Sequence, residues 1–130
     1  MTTIHILLVE DNDGDILLTQ EALEDARIVT RVSVARDGQE AIDFLNKQEN
    51  ELNHMPDLIL LDVNLPKKNG YEVLKYIKAN EILKHIPVVM LTTSSSQKDV
   101  DIAYSNAASS YIIKPLEADD LVAVVDLIEK

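Results

Sequence analysis

Five short apolar stretches recur along the chain, and longer segments with a helical period separate them. Nearly all of their flanking residues are polar, a pattern typical of strands that are buried on both faces of a sheet. The second and fifth stretches give a weaker strand signal than the other three. The predicted strands are Ile4–Val9, Val32–Ala35, Leu58–Leu61, Val88–Leu91 and Tyr111–Ile113.

In the intervening segments, apolar residues return every three or four positions, as on one face of an α-helix. The predicted helices are Asp15–Ala26, Gln39–Lys47, Gly70–Ala79, Gln97–Ala108 and Glu117–Ile128. Strands that alternate with helices predict a parallel sheet covered on both faces. The length favours an α/β fold of the flavodoxin-like, doubly wound kind, with five helices and strand order 2-1-3-4-5. Half of a Rossmann fold is the alternative.

The composition predicts one globular domain over residues 1–130. Apolar residues make up 46% of the chain, and there is no cysteine for a disulfide, a thiolate metal site or a thiol nucleophile. The first residues lack the basic region of a signal peptide, and no apolar run approaches a membrane span. We therefore expect a cytoplasmic protein without membrane insertion. The net charge of −11 disfavours direct nucleic-acid binding, because phosphate backbones would repel it.

Charged and hydroxyl side chains follow four of the five predicted strands at their carboxyl ends. Glu10 and Asp11 follow the first strand, Asp62 the third, Thr92 the fourth and Lys114 the fifth. In an open parallel sheet these ends share one edge, where ligands bind. The sequence therefore predicts one crevice that contains three carboxylates, a hydroxyl and an ammonium group.

Three carboxylates in one crevice repel each other, so either one of them takes up a proton or a cation neutralises them. Oxygen ligands without cysteine or a nearby histidine favour Mg²⁺. A remaining carboxylate can attack phosphorus and form an aspartyl phosphate, while Lys114 and Thr92 face phosphoryl oxygens. A simpler explanation exists for part of the pattern, since Asp11, Asn12 or Asp13 could merely cap the first helix.

Four segments at these positions closely resemble response-regulator receiver domains. They are LLVEDN (7–12), LILLDVNLPKKNGYEVL (58–74), IPVVMLTTS (86–94) and YIIKPL (111–116), and the resemblance covers essentially the whole chain. It implies a chemotaxis-regulator-like phosphoacceptor domain of a two-component system or phosphorelay, which catalyses only its own phosphorylation and slow dephosphorylation. The long loop before Asp57 and the LTTS segment further resemble single-domain regulators that partner bacterial phytochrome-type kinases.

The resemblance implies a phosphoacceptor and a set of metal ligands. Asp62 would accept the phosphoryl group and also serve as a ligand of the Mg²⁺ ion. Asp11 would bind Mg²⁺ directly, and Glu10 would do so largely through water. The backbone carbonyl of Asn64 would complete the protein's ligands.

The resemblance also implies a switch. Thr92 and Lys114 would contact the phosphoryl group, and Tyr111 would turn inward when Thr92 moves toward it. The Lys114–Pro115 peptide would be cis. The chain departs from the common pattern at Thr93, where alanine is frequent and where a larger side chain would narrow access to the phosphoryl group.

The implied partners are a histidine kinase or phosphotransfer protein, which donates the phosphoryl group, and a downstream protein target. The expected output surface combines the predicted fourth helix, the fifth strand and the fifth helix. Tyr104 and Leu116 would supply apolar contacts there, to a partner or to a second copy in a homodimer.

Two other functions stay open. A Mg²⁺-dependent phosphatase with an aspartyl nucleophile would also place an acid after a buried strand. Such enzymes usually carry a second acid two residues later as general acid, where this chain has Asn64. The other alternative is a receiver-like binding module that works without phosphorylation.

Overall fold

The protein folds as a five-stranded parallel sheet with helices on both faces. The structure, a computed structural model, describes residues 3–28, 30–48, 55–93, 101–102, 108, 110–114 and 116–129. The strands lie in the order β2-β1-β3-β4-β5, and every neighbouring pair is parallel. This is the predicted flavodoxin-like class. The strands are β1 Ile4–Val9, β2 Thr30–Ala35, β3 Leu58–Asp62, β4 Val88–Thr92 and β5 Ser110–Ile113.

Within the described residues there are four α-helices and one short 3₁₀ turn, Leu83–His85. The helices are α1 Asp13–Asp25, α2 Gly38–Gln48, α3 Gly70–Ala79 and α4 Ala118–Glu129. Five helices were expected. The predicted fourth helix, 97–108, lies largely outside the described residues, although Asp101 and Ile102 within it are helical. Tyr104 and Pro115 also lie outside them, so the expectations for these two residues stay predictions.

Each predicted end of a described strand or helix lies within two residues of the observed one. The difference matters at the carboxyl ends of β3 and β4, which run on to Asp62 and Thr92. Both residues still take part in the ladder of the sheet, where Asp62 pairs with Leu91 and Thr92 with Ile113. The ladder therefore holds the backbone of these two polar residues rigidly at the edge of the sheet.

The core has two layers because alternate side chains of each strand point to opposite faces. On one face, Leu7 and Met90 pack with Ala41 and Leu45 of α2 and with Leu74 of α3. The opposite face carries the second cluster, in which strand residues pack with α1 and α4. Its fully buried members are Ile6, Leu8, Leu58, Leu60, Val89 and Leu121. Each fully buried leucine or isoleucine stabilises the fold by about 1.5–3 kcal/mol.

Side-chain caps fix where three helices begin. Asn12 caps α1 by accepting a hydrogen bond from the N–H of Asp15 at 2.9 Å. Asp37 accepts one from the N–H of Glu40 at 2.7 Å, in the first turn of α2. Asn69 and Glu72 form a reciprocal capping box at the start of α3. Such caps stabilise a helix start by satisfying its free N–H groups.

Among the helices of the described residues, none combines the length and the apolar character needed to cross a membrane.

Candidate functional site

The site lies at the carboxyl edge of the sheet. Glu10 directly follows β1, Asp62 ends β3, Thr92 ends β4 and Lys114 directly follows β5. Backbone hydrogen bonds continue past the strands, since the N–H of Glu10 donates to the carbonyl oxygen of Ala35 at 2.9 Å. Likewise, the N–H of Lys114 donates to the carbonyl oxygen of Thr92 at 2.7 Å. The sheet therefore places all four side chains at one edge, as predicted.

Three carboxylates converge there. Glu10, Asp11 and Asp62 each present an oxygen, and these oxygens lie within 4.8 Å of one another. Glu10 is 1% exposed and Asp62 is 5% exposed, whereas Asp11 is exposed to solvent. The N–H of Asn12 donates to Oε1 of Glu10 at 3.2 Å, and the N–H of Asn64 donates to Oδ1 of Asp62 at 3.3 Å. These bonds orient the two buried carboxylates.

Lys114 lies against three acidic side chains. Its Nζ is 2.5 Å from Oε2 of Glu10, 3.0 Å from Oδ2 of Asp15 and 3.4 Å from Oδ2 of Asp62. The lysine side chain is only 14% exposed, so its interactions are weakly screened by water. Lys114 thus supplies positive charge directly beside the Asp62 carboxylate.

The site shifts the pKa values of two of these groups. Burial raises the pKa of Glu10, and the charge of Asp62 adds to this effect, although hydrogen bonds from Lys114 and Asn12 oppose it. Burial alone would lower the pKa of Lys114. Its hydrogen bonds to Glu10 and Asp15 and the charge of Asp62 outweigh burial, so the pKa of Lys114 lies above its ordinary value.

A divalent cation fits this arrangement. Among the described residues, three carboxylates surround the Lys114 ammonium group and the Asp11 carboxylate lies beside two of them, which leaves excess negative charge at the site. The ligand set consists of hard oxygen atoms, and exposed Asp11 leaves an entry side open to solvent. Oxygen-rich, carboxylate-lined sites of this kind favour Mg²⁺, Mn²⁺ or Ca²⁺.

The sequence comparisons decide the family. Residues 6–126 match the family described as "response regulator receiver domain". The chain belongs to the response-regulator receiver domains. This receiver domain is similar to response regulator Rcp1 of Synechocystis, with 47% identity over 95% of the chain and 85% of Rcp1. It is also 46% identical to the probable methanogenesis regulatory protein FilR2 of Methanothrix harundinacea, over 96% of the chain and 81% of FilR2.

Solved structures of response regulators share the fold of this receiver domain. The bacteriophytochrome response regulator RtBRR has a TM-score of 0.84 and 39% identity, covering 99% of this chain and 80% of RtBRR. The phosphorylated cyanobacterial phytochrome response regulator RcpA has a TM-score of 0.79 and 44% identity, covering 98% of this chain and 92% of RcpA. The Mn²⁺-bound form of Rcp1 has a TM-score of 0.76 and 46% identity, covering 97% of this chain and 91% of Rcp1.

Asp15 is a site residue of this receiver domain that the sequence reasoning did not identify. Its carboxylate bonds Lys114 from the first turn of α1. Asn12 caps α1 by accepting a hydrogen bond from the N–H of Asp15, which places Asp15 in the first turn of the helix. The sequence left three residues as candidates for that cap, so it did not fix where Asp15 lies relative to the site.

Thr92 and Tyr111, the two proposed switch residues, lie in different surroundings. Thr92 is 3% exposed at the end of β4, directly beside the strand that Asp62 ends. Tyr111 on β5 is partly buried and packs against the core layer that contains Met90, its register partner on β4. Tyr111 also lines an open groove of about 420 Å³ between β5 and α4.

Proposed function

We propose that Asp62 accepts a phosphoryl group from a phosphohistidine of a histidine kinase or phosphotransfer protein, with Mg²⁺ as the cofactor. One observation carries this proposal. The buried Asp62 carboxylate belongs to the three-carboxylate cluster and also lies 3.4 Å from the Lys114 ammonium. Phosphoryl transfer depends chiefly on positioning and on neutralising the charge of the phosphoryl oxygens. The metal ion and the Lys114 ammonium group would both lie beside the Asp62 side chain.

In the proposed reaction, a carboxylate oxygen of Asp62 attacks the phosphorus atom. The new O–P bond forms as the P–N bond to the donor imidazole breaks, and the electron pair of that bond stays with the imidazole nitrogen. Glu10, Asp11, Asp62 and the backbone carbonyl of Asn64 would hold Mg²⁺, which supplies positive charge against the phosphoryl oxygens.

Two further side chains of the chain would contact the transferred group. Lys114 offers its ammonium group to a phosphoryl oxygen, and Thr92 offers its hydroxyl to another. The Asp15 and Glu10 carboxylates hold Lys114 at the site. Because the Asn64 side chain is an amide, it cannot serve as the general acid of a phosphatase cycle. The acyl phosphate would therefore turn over slowly unless a partner protein assists.

The proposed output is a change at the β5–α4 face. Movement of Thr92 toward a phosphoryl oxygen would vacate space behind it, and Tyr111 on the neighbouring strand would turn inward. The groove that Tyr111 lines also includes Ile112 and Val124, which gives this face apolar contact area for a second copy of the chain. Size measurements by light scattering, with and without phosphorylation, test this part. An unchanged mass on phosphorylation would contradict the dimer.

The subgroup of relatives narrows the proposed donor. RtBRR is named as a bacteriophytochrome response regulator and RcpA as a phytochrome response regulator. We therefore propose that the donor is a kinase of the phytochrome type, in the cytoplasm. A kinase panel in vitro, scored by the rate of transfer to Asp62, would test this choice.

Labelling with a small phosphoryl donor tests the central proposal. Wild type, Asp62→Asn and Asp57→Asn would each be incubated with acetyl phosphate and Mg²⁺ and examined by intact mass. Asp57→Asn is the matched control. Asp57 directly precedes the amino end of β3, opposite the site, and accepts a hydrogen bond from the N–H of His5. We expect a single phosphoryl group on wild type and on Asp57→Asn, and none on Asp62→Asn.

The same samples separate the two alternatives. Equal phosphoryl incorporation by Asp62→Asn, or none by wild type, would favour a binding module that works without phosphorylation at this residue. Multiple turnover of a generic phosphate ester that requires Asp62 would instead indicate a phosphatase.

A further inference from the structure

The loop that follows Asp62, residues 63–69, contains a strained turn. The N–H of Lys68 donates to the carbonyl oxygen of Pro66 at 2.8 Å, and Lys67 between them has a φ of 66°. An i to i+2 hydrogen bond across a residue with positive φ is the rarer, strained form of the γ-turn. Lysine has a Cβ that disfavours this backbone region, so other contacts must hold the turn in place.

Those contacts come from Asp37 and from Gly38, the first residue of α2. A Cβ on Gly38 would lie 2.0 Å from the carbonyl oxygen of Lys68 and 2.6 Å from its Cβ, so the two backbones touch. The N–H of Gly38 donates to the carbonyl oxygen of Pro66 at 3.4 Å. In addition, Nζ of Lys67 lies 3.5 Å from Oδ2 of Asp37. A backbone contact, a long hydrogen bond and an ion pair therefore join the start of α2 to the loop 63–69.

The backbone contact at Gly38 is the strongest constraint of the three. The Lys67 side chain is 69% exposed, so water and salt screen its pairing with Asp37. The contact of Gly38 is with main-chain atoms of Lys68, which cannot rotate away as a flexible side chain does. Any side chain at position 38 would therefore push the strained turn away from α2.

The same loop begins at the site. The N–H of Asn64 donates to Oδ1 of Asp62, and the N–H of Gly70 donates to the carbonyl oxygen of Val63 at 2.9 Å. Both ends of the loop are thus fixed, and its middle rests on Gly38. We infer that Gly38 is a positioning residue, which raises Mg²⁺ affinity by holding the loop whose first residues orient Asp62 and offer the Asn64 carbonyl. This inference rests on the Mg²⁺ site proposed above.

Calorimetric titration of the metal-free protein with MgCl₂ alone tests the inference. Gly38→Ala would be compared with wild type and with Ala22→Gly, a change within α1 that is destabilising and lies away from the loop 63–69 and the start of α2. The control is accepted once urea unfolding shows a similar loss of stability in both variants. We expect Gly38→Ala to bind Mg²⁺ about tenfold more weakly than wild type, whereas Ala22→Gly should bind it normally.

Amide hydrogen exchange of residues 63–69 gives a readout that needs no metal. In the metal-free proteins, we expect faster exchange of this loop in Gly38→Ala and unchanged exchange in Ala22→Gly. If wild type binds Mg²⁺ and Gly38→Ala binds it with equal affinity, this inference is overturned and the proposed metal site stands. Failure of wild type to bind Mg²⁺ would overturn the proposed metal site and this inference together.

A second pair of variants decides the matter if Gly38→Ala does not fold. Lys67→Ala keeps the strained φ but removes the pairing with Asp37, so the turn should loosen and Mg²⁺ should bind a few-fold more weakly at low salt. Lys67→Gly removes the same pairing and also relieves the strain, so it should recover part of the affinity. Faster amide exchange of residues 63–69 in Lys67→Ala with wild-type Mg²⁺ affinity would contradict the inference, because the loop would then have loosened without weakening the metal site.

Discussion

The ammonium group of Lys114 lies closer to the carboxylate of Glu10 than to that of Asp62. Its Nζ lies 2.5 Å from the Glu10 carboxylate and 3.4 Å from the Asp62 carboxylate. The lysine proposed to contact the phosphoryl group is therefore held chiefly by an acid proposed to bind the metal. A cation that neutralises Glu10 would weaken this bond and leave the ammonium group available to Asp62 and its phosphoryl group.

We expect Lys114→Gln to destabilise the metal-free protein by about 2 kcal/mol, because buried Glu10 and Asp62 would lose their charged partner. Urea unfolding without divalent cations measures this change. Lys75→Gln is the matched control, since Lys75 is exposed on α3, and its unfolding free energy should stay close to that of wild type. A Lys114→Gln variant as stable as the control would contradict the importance of the buried pairing.

The contribution of Lys114 should depend on pH in the alkaline range. Its pKa in the folded protein lies above the ordinary value of 10.5, so the folded protein keeps this proton at pH values where the unfolded chain releases it. The stabilisation is thus complete below that ordinary value and is lost as the pH rises above it. Within the alkaline range, the difference in unfolding free energy between wild type and Lys114→Gln should therefore shrink as the pH rises above that value. A difference that stays constant throughout would contradict this assignment.

Mg²⁺ should stabilise the fold through the carboxylate cluster. At a free concentration about 100 times the dissociation constant, binding to the folded state alone adds about 2.7 kcal/mol to the unfolding free energy. Asp11→Asn should lose most of this gain. Asp13→Asn, which changes an exposed acid paired with Arg36 at 2.6 Å, should keep it. Thermal unfolding with and without MgCl₂ measures both, and an equal gain in the two variants would argue against Asp11 as a ligand.

Gly70→Ala should destabilise the protein, because the new methyl group would collide with the site's backbone. A Cβ at position 70 would lie 2.3 Å from the carbonyl oxygen of Asp62 and 2.8 Å from Cα of Val63. We expect a loss of about 2–3 kcal/mol by urea unfolding, together with slower phosphorylation of Asp62. Gly14→Ala is the control: its Cβ would meet only the Asn12 side chain, at 3.1 Å, and should cost little. Equal stability of the two variants would contradict the collision.

The sequence by itself determined the strands, most helices and the edge of the sheet where the polar residues gather. Buried strands such as Leu58–Asp62 are visible as apolar runs because a parallel sheet buries both faces of each strand. The position of Asp62 follows from the same pattern, since the residue that ends a buried strand must lie at the edge of the sheet. The spacing of apolar and polar residues along the chain is therefore enough to predict the strand and the position of Asp62.

Only the tertiary structure decided which groups at that edge touch. Lys114 and Glu10 are 104 residues apart in the chain, and their pairing depends on strand order, register and side-chain direction together. The choice of Asn12 as the cap of α1, and hence the place of Asp15 beside Lys114, is decided in the same way. The contact between Gly38 and Lys68 joins the start of α2 to the loop after β3, two segments that share no pattern in sequence. Packing of the whole fold fixes distances of a few ångströms between such distant segments. The local spacing of apolar and polar residues does not contain this information.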